Sequence, residues 1–367
     1  MGHLAIVNSL TIQQINDTDP YISIGGQLNK FPYKTISDLF ADALLVRDGD
    51  LIFTWMIDST SSAGQGFDRY FIANGDVMFD PLSPYPIKIG IKDGYKFDNA
   101  LSEEQALDLF GTHLLWNAIG KKSLGRGRSL SHQTIDEDKY LLDLLKRVNK
   151  NTSQKIIFAP KYNRSYQKIS INNFSHHNSN QANLQNQPIN TLQLNNTIWN
   201  KGDVFLYEKT LEAYLCENID KGIFGVDGQV KDLLTLLGYK GYHIVWAGNY
   251  LPYGVAGKNI DLVCEIAKNN NINDRRVLVI ELKVNDSSLS HYTDIANLQL
   301  PDYVDFIKKA FESYRGLGVI VEPVAITHLP RQKTQIQHIR QTSLINSTKW
   351  IGYSITQANQ VVFERLL

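Results

Sequence analysis

Three charged residues, Asp261, Glu281 and Lys283, stand where two apolar runs fold back on each other. The first run reads Asn259-Ile260-Asp261-Leu262-Val263-Cys264-Glu265-Ile266. The second reads Val277-Leu278-Val279-Ile280-Glu281-Leu282-Lys283, and a stretch rich in Asn and Asp separates the two. β-Branched runs around such a stretch predict a β-hairpin over residues 257–283. Residues two apart on a strand leave it on the same face, so Glu281 and Lys283 point together, with Asp261 on the partner strand. Carboxylates set against a sheet suited to burial lose hydration that nothing replaces, and a divalent cation resolves the conflict. Asp261, Glu281 and the main-chain carbonyl of Leu282 offer hard oxygens to Mg²⁺, for which Mn²⁺ can substitute. Lys283 then orients a water, or helps deprotonate it, for in-line attack on a phosphodiester.

Positioning these groups takes further elements on either side of the hairpin. A helix expected over residues 204–217 carries Glu208 and Glu212 at i, i+4, on one face. Residues 230–237 read as a second helix ended by Gly238, residues 242–246 as a strand, and residues 248–257 as a Gly-rich turn. Beyond Lys283, residues 291–297 read as a loop able to touch DNA, followed by a helix over 299–314 and strands over 318–326 and 350–355. Residues 331–349 read as a polar tail with Arg331, Lys333 and Arg340 available to DNA.

Ile260-Asp261 followed by Val279-Ile280-Glu281-Leu282-Lys283 resembles the PD-(D/E)XK nuclease superfamily, in the branch of the NucS-type (EndoMS) endonucleases. Residues 207–218, Y-E-K-T-L-E-A-Y-L-C-E-N, are similar to the first helix of that family, whose acidic residue completes the metal site. The resemblance implies that role for Glu208 or Glu212. Gln299 and Tyr303 match a Q-x-x-x-Y signature of RecB-like members, which places both beside the active site to orient Lys283 or a phosphate. The separation of Asp261 from Glu281 is longer than the family pattern. An α/β restriction-endonuclease-like domain is implied, with a mixed sheet flanked by helices.

The 367 residues are 43% hydrophobic and 20% charged, enough to bury a core in two domains. The net charge is zero, so any nucleic-acid contact has to come from local basic patches. Two cysteines, Cys216 and Cys264, are too few for a disulfide framework or a cysteine zinc site and read as small core residues. No apolar run is long enough to span a bilayer and no secretory signal opens the chain, which argues for a cytoplasmic protein.

Residues 1–150 read as short strands with Gly/Asp turns, pointing to a small barrel, with helices beginning at Ser102 and over residues 135–148. Gly2-His3 reads as an appended remnant. The runs G-D-L-I-F-T-W (49–55), D-P…P-Y-P-I-K-I (80–89) and G-R-G-R-S-L (125–130) resemble the EVE branch of the PUA-like fold, an α+β small barrel. Members of that group hold a flipped, usually modified, base in an aromatic-lined pocket, which here implies Trp55, Phe67, Tyr85 and Trp116 with Asp58 and Ser59 at the base edge. Arg126 and Arg128 suit phosphate contact. Residues 1–150 hold 15 Lys and Arg against 19 Asp and Glu, so positive charge gathers in the 121–128 loop.

Residues 151–200 turn to Asn, Gln and Ser, with Lys155, Lys161, Arg164 and Lys168 and no acid, and read as a linker containing His176-His177. The nuclease domain then occupies residues 201–367. Together the resemblances imply a Mg²⁺-dependent restriction endonuclease acting on double-stranded DNA as a homodimer, its N-terminal domain reading a modified, methylated base. An ordinary sequence-specific restriction enzyme, a NucS-like mismatch endonuclease and a non-catalytic DNA binder are the alternatives.

Overall fold

The apolar runs sort into two units, one built mainly from residues 1–170 and the other mainly from residues 193–367. The computed structural model describes residues 1–9, 20–24, 33–56, 66–79, 87–102, 130–133, 135–158, 167–169, 200–220, 223–224, 230–231, 233–253, 258–269, 271–284, 289–315, 319–330, 332–357 and 360–367, with isolated positions such as Tyr85 and Gln105. Over these the protein is α/β, with a mixed sheet in each unit and a few helices.

In the first unit, β1 (Gly2–Val7), β2 (Tyr21–Ile24), β3 (Asp48–Met56), β4 (Gly66–Phe79), β5 (Ile87–Leu101) and β6 (Leu130–Gln133) lie in the order β2-β5-β4-β3-β1-β6. β1 and β3 are parallel, and the remaining pairs are antiparallel. Residues 74–76, which resemble a turn in sequence, are instead an irregularity inside β4. Gly75 has φ +78°, and the Asn74 side chain accepts the Asp76 N–H at 2.9 Å. Such insertions bend a strand and sharpen its twist. Among the described strands the expected barrel does not close, since β2 and β6 each pair with one neighbour.

Gly2 and His3, read as an appended remnant, lie within β1. His3 is fully buried, with Nε2 2.9 Å from Asp50 Oδ2 and Nδ1 2.8 Å from His132 Nδ1. Between β2 and β3 the chain forms α1 (Tyr33–Leu44), where no helix is expected from the sequence, and after β6 it forms α2 (Ile135–Val148), over the residues the sequence predicts. Ser102 and Gln105 cap each other reciprocally at the expected helix start, at 3.0 and 3.2 Å. The Asn/Gln-rich stretch begins inside this sheet, where β7 (Gln154–Lys155) pairs with β5 and β8 (Gln167–Lys168) with β4. His176-His177 lies outside the described residues.

In the second unit, two ribbons, β9 (Asn200–Lys201) with β10 (Val204–Phe205) and β11 (Ile223–Phe224) with β12 (Val230–Lys231), precede the main sheet with helices α3 (Glu208–Asn218) and α4 (Leu233–Leu236). The helix expected from Val204 therefore starts later, and Val230 sits in a strand. Gly238, at φ +89°, follows α4. The main sheet runs β13 (Tyr242–Tyr253), β14 (Lys258–Lys268), β15 (Arg276–Lys283), β16 (Ile320–His328), β17 (Lys349–Ile355) and β18 (Val361–Arg365) in sequence order. β13 continues to Tyr253 through most of the stretch read as a turn.

The first three strands are antiparallel, β15, β16 and β17 are parallel, and β18 returns antiparallel. Parallel neighbours demand crossovers. α5 (Leu289–Asp294), a π-helical turn (Ile295–Gln299) and α6 (Leu300–Arg315) make the first, so residues 291–297 are helical and not a loop. α7 (Lys333–Asn346) makes the second, so the expected polar tail is a helix, with Lys333 and Arg340 exposed. Central β15 is buried from Val277 to Leu282, the continuous apolar run of a strand covered on both faces. Trp246 meets Phe311 edge-on, ring centroids 6.1 Å apart, and Tyr292 meets Trp350 at 5.7 Å. Cys216 and Cys264 are buried in this core. Among the described residues no helix is long and apolar enough to cross a membrane.

Candidate active site

The ladder between β14 and β15 ends at Leu262 opposite Ile280. Asp261 and Glu281 are the next residues on the two strands, facing each other where the pairing stops. Opposed residues on an antiparallel pair share a face, so the parting of the strands brings two carboxylates together. Asp261 Oδ2 accepts the Leu282 N–H at 2.9 Å, standing in for a ladder bond and fixing the carboxylate. Leu282, expected to contribute its carbonyl, thus also uses its N–H to hold Asp261.

Lys283 Nζ lies 2.7 Å from Glu281 Oε1 and 3.3 Å from Glu208 Oε1 at the start of α3. Burial, then the nearby Asp261 charge, push Glu281 up to about 8 against the pull of Lys283. Burial works against the Lys283 charge, but Glu281, Asp261 and Glu208 outweigh it and hold the ammonium above the usual lysine range. Lys283 is therefore a cation at neutral pH, suited to orienting a water or a phosphate rather than to removing a proton.

The acidic residues of α3 separate by environment. The Glu208 side chain is 39% exposed and faces Lys283, whereas Glu212 is fully buried. Glu212 Oε2 lies 2.6 Å from Lys209 Nζ and its Oε1 accepts from Asn249 Nδ2 at 2.7 Å. Lys209 Nζ also lies 3.5 Å from Asp261 Oδ1. α3 is buried at every position from Lys209 to Asn218, so its charges must be paired within the protein. Sequence reasoning missed Lys209 and Asn249. A Lys three residues before a Glu reads as a solvated helix pair, and Asn249 fell in a stretch read as a turn.

Gln299 and Tyr303 lie one helical turn apart, at the end of the π-turn and in the first turn of α6 respectively. Burial first, then the charges of Glu281 and Asp261, raise Tyr303 well above the usual phenol range, so it stays a hydroxyl donor. Its ring meets Tyr253 at 5.2 Å. Gln299 Oε1 is buried with no hydrogen-bond partner among the described residues.

Asp261, Glu281, Glu208 and Glu212 bring four carboxyl groups to this cluster against the two ammonium groups of Lys209 and Lys283. Among the described residues no group of three or more His, Cys, Asp or Glu side chains gathers closely enough to hold a metal alone. Mg²⁺ does not need one, since it takes one or two carboxylates and fills its remaining positions with water and phosphate oxygen. Two opposed, buried carboxyl groups, one of which ionises fully only as an ion displaces its proton, fit that requirement.

The candidates in the first unit are not gathered in the same way. Trp55 and Phe67 are buried and pack edge-on, centroids 4.9 Å apart, while Tyr85 is exposed. Asp58, Ser59, Trp116, Arg126 and Arg128 lie outside the described residues, as does Arg331. Comparison of the chain with protein-family models, curated proteins and solved structures finds no match.

Proposed function

We propose that the second unit is a Mg²⁺-dependent endodeoxyribonuclease of the PD-(D/E)XK kind, with Mn²⁺ able to replace Mg²⁺. The observation that carries the reading is the meeting of Asp261, Glu281 and Lys283 where β14 and β15 part, under the first turn of α3. The architecture is compatible with it: this unit is α/β, with a mixed sheet and helices, as the sequence resemblance implies.

Asp261 and Glu281, with the Leu282 carbonyl, would hold the ion. Once bound, it would supply Lewis-acid stabilisation of the charge that develops on the scissile phosphodiester. Lys283, kept protonated by Glu281 and Glu208, orients the attacking water and the phosphate. Tyr303, a hydroxyl donor, and Gln299 would orient Lys283 or a phosphate. Cutting both strands takes two such sites, hence a homodimer. The first unit, by its PUA-like resemblance, would read a modified base in duplex DNA before cleavage.

The test is digestion, in Mg²⁺, of matched plasmids that are unmethylated, adenine-methylated or cytosine-methylated, by the wild type and by Asp261→Ala. Cleavage confined to one modified plasmid and absent in the variant is expected. An unimpaired Asp261→Ala overturns the site, and equal cutting of all three plasmids overturns dependence on modification.

A further inference from the structure

We propose that Lys209 is a positioning residue: it grips the Asp261 carboxylate in the metal-free protein and so sets the concentration at which a divalent ion takes that carboxylate over. This rests on the metal site described above and adds a built-in competitor to it.

A buried ammonium is costly unless its charge is answered. The Lys209 side chain is 8% exposed, with Glu212 Oε2 at 2.6 Å, Asp261 Oδ1 at 3.5 Å and the Tyr250 ring centroid 4.3 Å from Nζ. The two carboxylate contacts are unequal. Glu212 is engaged through both oxygens, by Lys209 and by Asn249, so it anchors the lysine and has no oxygen turned over to an ion. Asp261 takes the longer contact, and an ion can replace it there while Lys209 stays tethered to Glu212.

The backbone opposite is shaped to the same end. Asn249 pairs with Leu262 and Leu251 with Ile260, leaving Tyr250 across from Asp261. Tyr250 has φ +51°, a left-handed conformation that a bulky side chain rarely adopts. That conformation comes with its ring lying under the Lys209 ammonium, where the π face favours a cation. A buried anchor pair and a left-handed residue thus converge on one lysine, whose ammonium also reaches the carboxylate assigned to the ion.

The experiment measures Mn²⁺ dissociation constants on the full chain, by electron paramagnetic resonance of free Mn²⁺. Removal of the competitor in Lys209→Met should tighten binding about tenfold, or ~1.4 kcal/mol, and Lys209→Arg should restore the weaker wild-type constant. Lys209→Met combined with Glu212→Gln leaves no lone buried charge and guards against misfolding; it should show the same tightening. Unchanged or weaker binding in both neutral variants overturns the inference. Wild type that binds no Mn²⁺, or binds it equally well as Asp261→Asn, overturns the metal site itself and this inference with it.

Discussion

At the proposed metal site, Glu281 would couple ion binding to pH in a way that can be worked out in advance. Its carboxyl is pushed up to about 8 in the free protein by burial and by Asp261, against an ordinary value of 4.5 in the unfolded chain. A raised carboxyl pKa means that this group favours the fold below pH 4.5. That contribution then declines by about 1.4 kcal/mol per pH unit until the pH reaches about 8, where it is spent. A divalent ion needs the ionised carboxylate, so below that point each ion bound displaces one proton. Apparent Mg²⁺ affinity should therefore rise about tenfold per pH unit from pH 6 to 8 and level off above. Calorimetric titration in two buffers of different ionisation enthalpy counts the proton directly: about one released at pH 6.5 and none at pH 9. Glu281→Gln, which carries no titrating carboxyl, should remove the pH dependence along with most of the affinity. An affinity that is flat from pH 6 to 8, or that keeps rising beyond pH 9, refutes the reasoning.

Lys283→Ala should leave duplex binding within a few-fold of wild type in a gel-shift assay while lowering the cleavage rate by roughly 10²- to 10⁴-fold, the range for a positioned polar group in the transition state. Phe311→Ala removes a fully buried ring packed on Trp246 and should cost about 3–5 kcal/mol in urea unfolding. His3 titrates below the ordinary 6.5, chiefly because burial disfavours its charged form although Asp50 opposes this. Its neutral ring therefore stabilises the fold above pH 6.5, and that stability is lost as the pH falls toward the depressed folded value. His3→Gln should flatten the urea midpoint between pH 5 and 7, and an unaltered slope would count against the burial of His3 as its origin.

What could be read from the sequence follows how each element earns its stability. The hairpin of β14 and β15 was legible because its strands are β-branched and apolar on both faces, with an Asn-rich turn that leaves Asn269 at φ +53°. α2 was legible because one of its faces is apolar and its last turn is basic. α3 has no such stripe: it is buried all round, so periodicity could not fix its start, and Val204-Phe205 were drawn into it although they pair as a strand. α7 and the turns before α6 are polar enough to resemble loops, and only the two parallel pairings of β16 demand that they be helical crossovers. The site divides along the same line. Asp261, Glu281 and Lys283 were found because charges interrupt an apolar strand. Lys209, Asn249 and Tyr250 were not, because their meaning depends on β13 running past the residues that looked like a turn. A lysine beside two glutamates on a helix looks solvated until the sheet beneath it is in place; then it becomes a buried cation held between Glu212 and the carboxylate assigned to the ion.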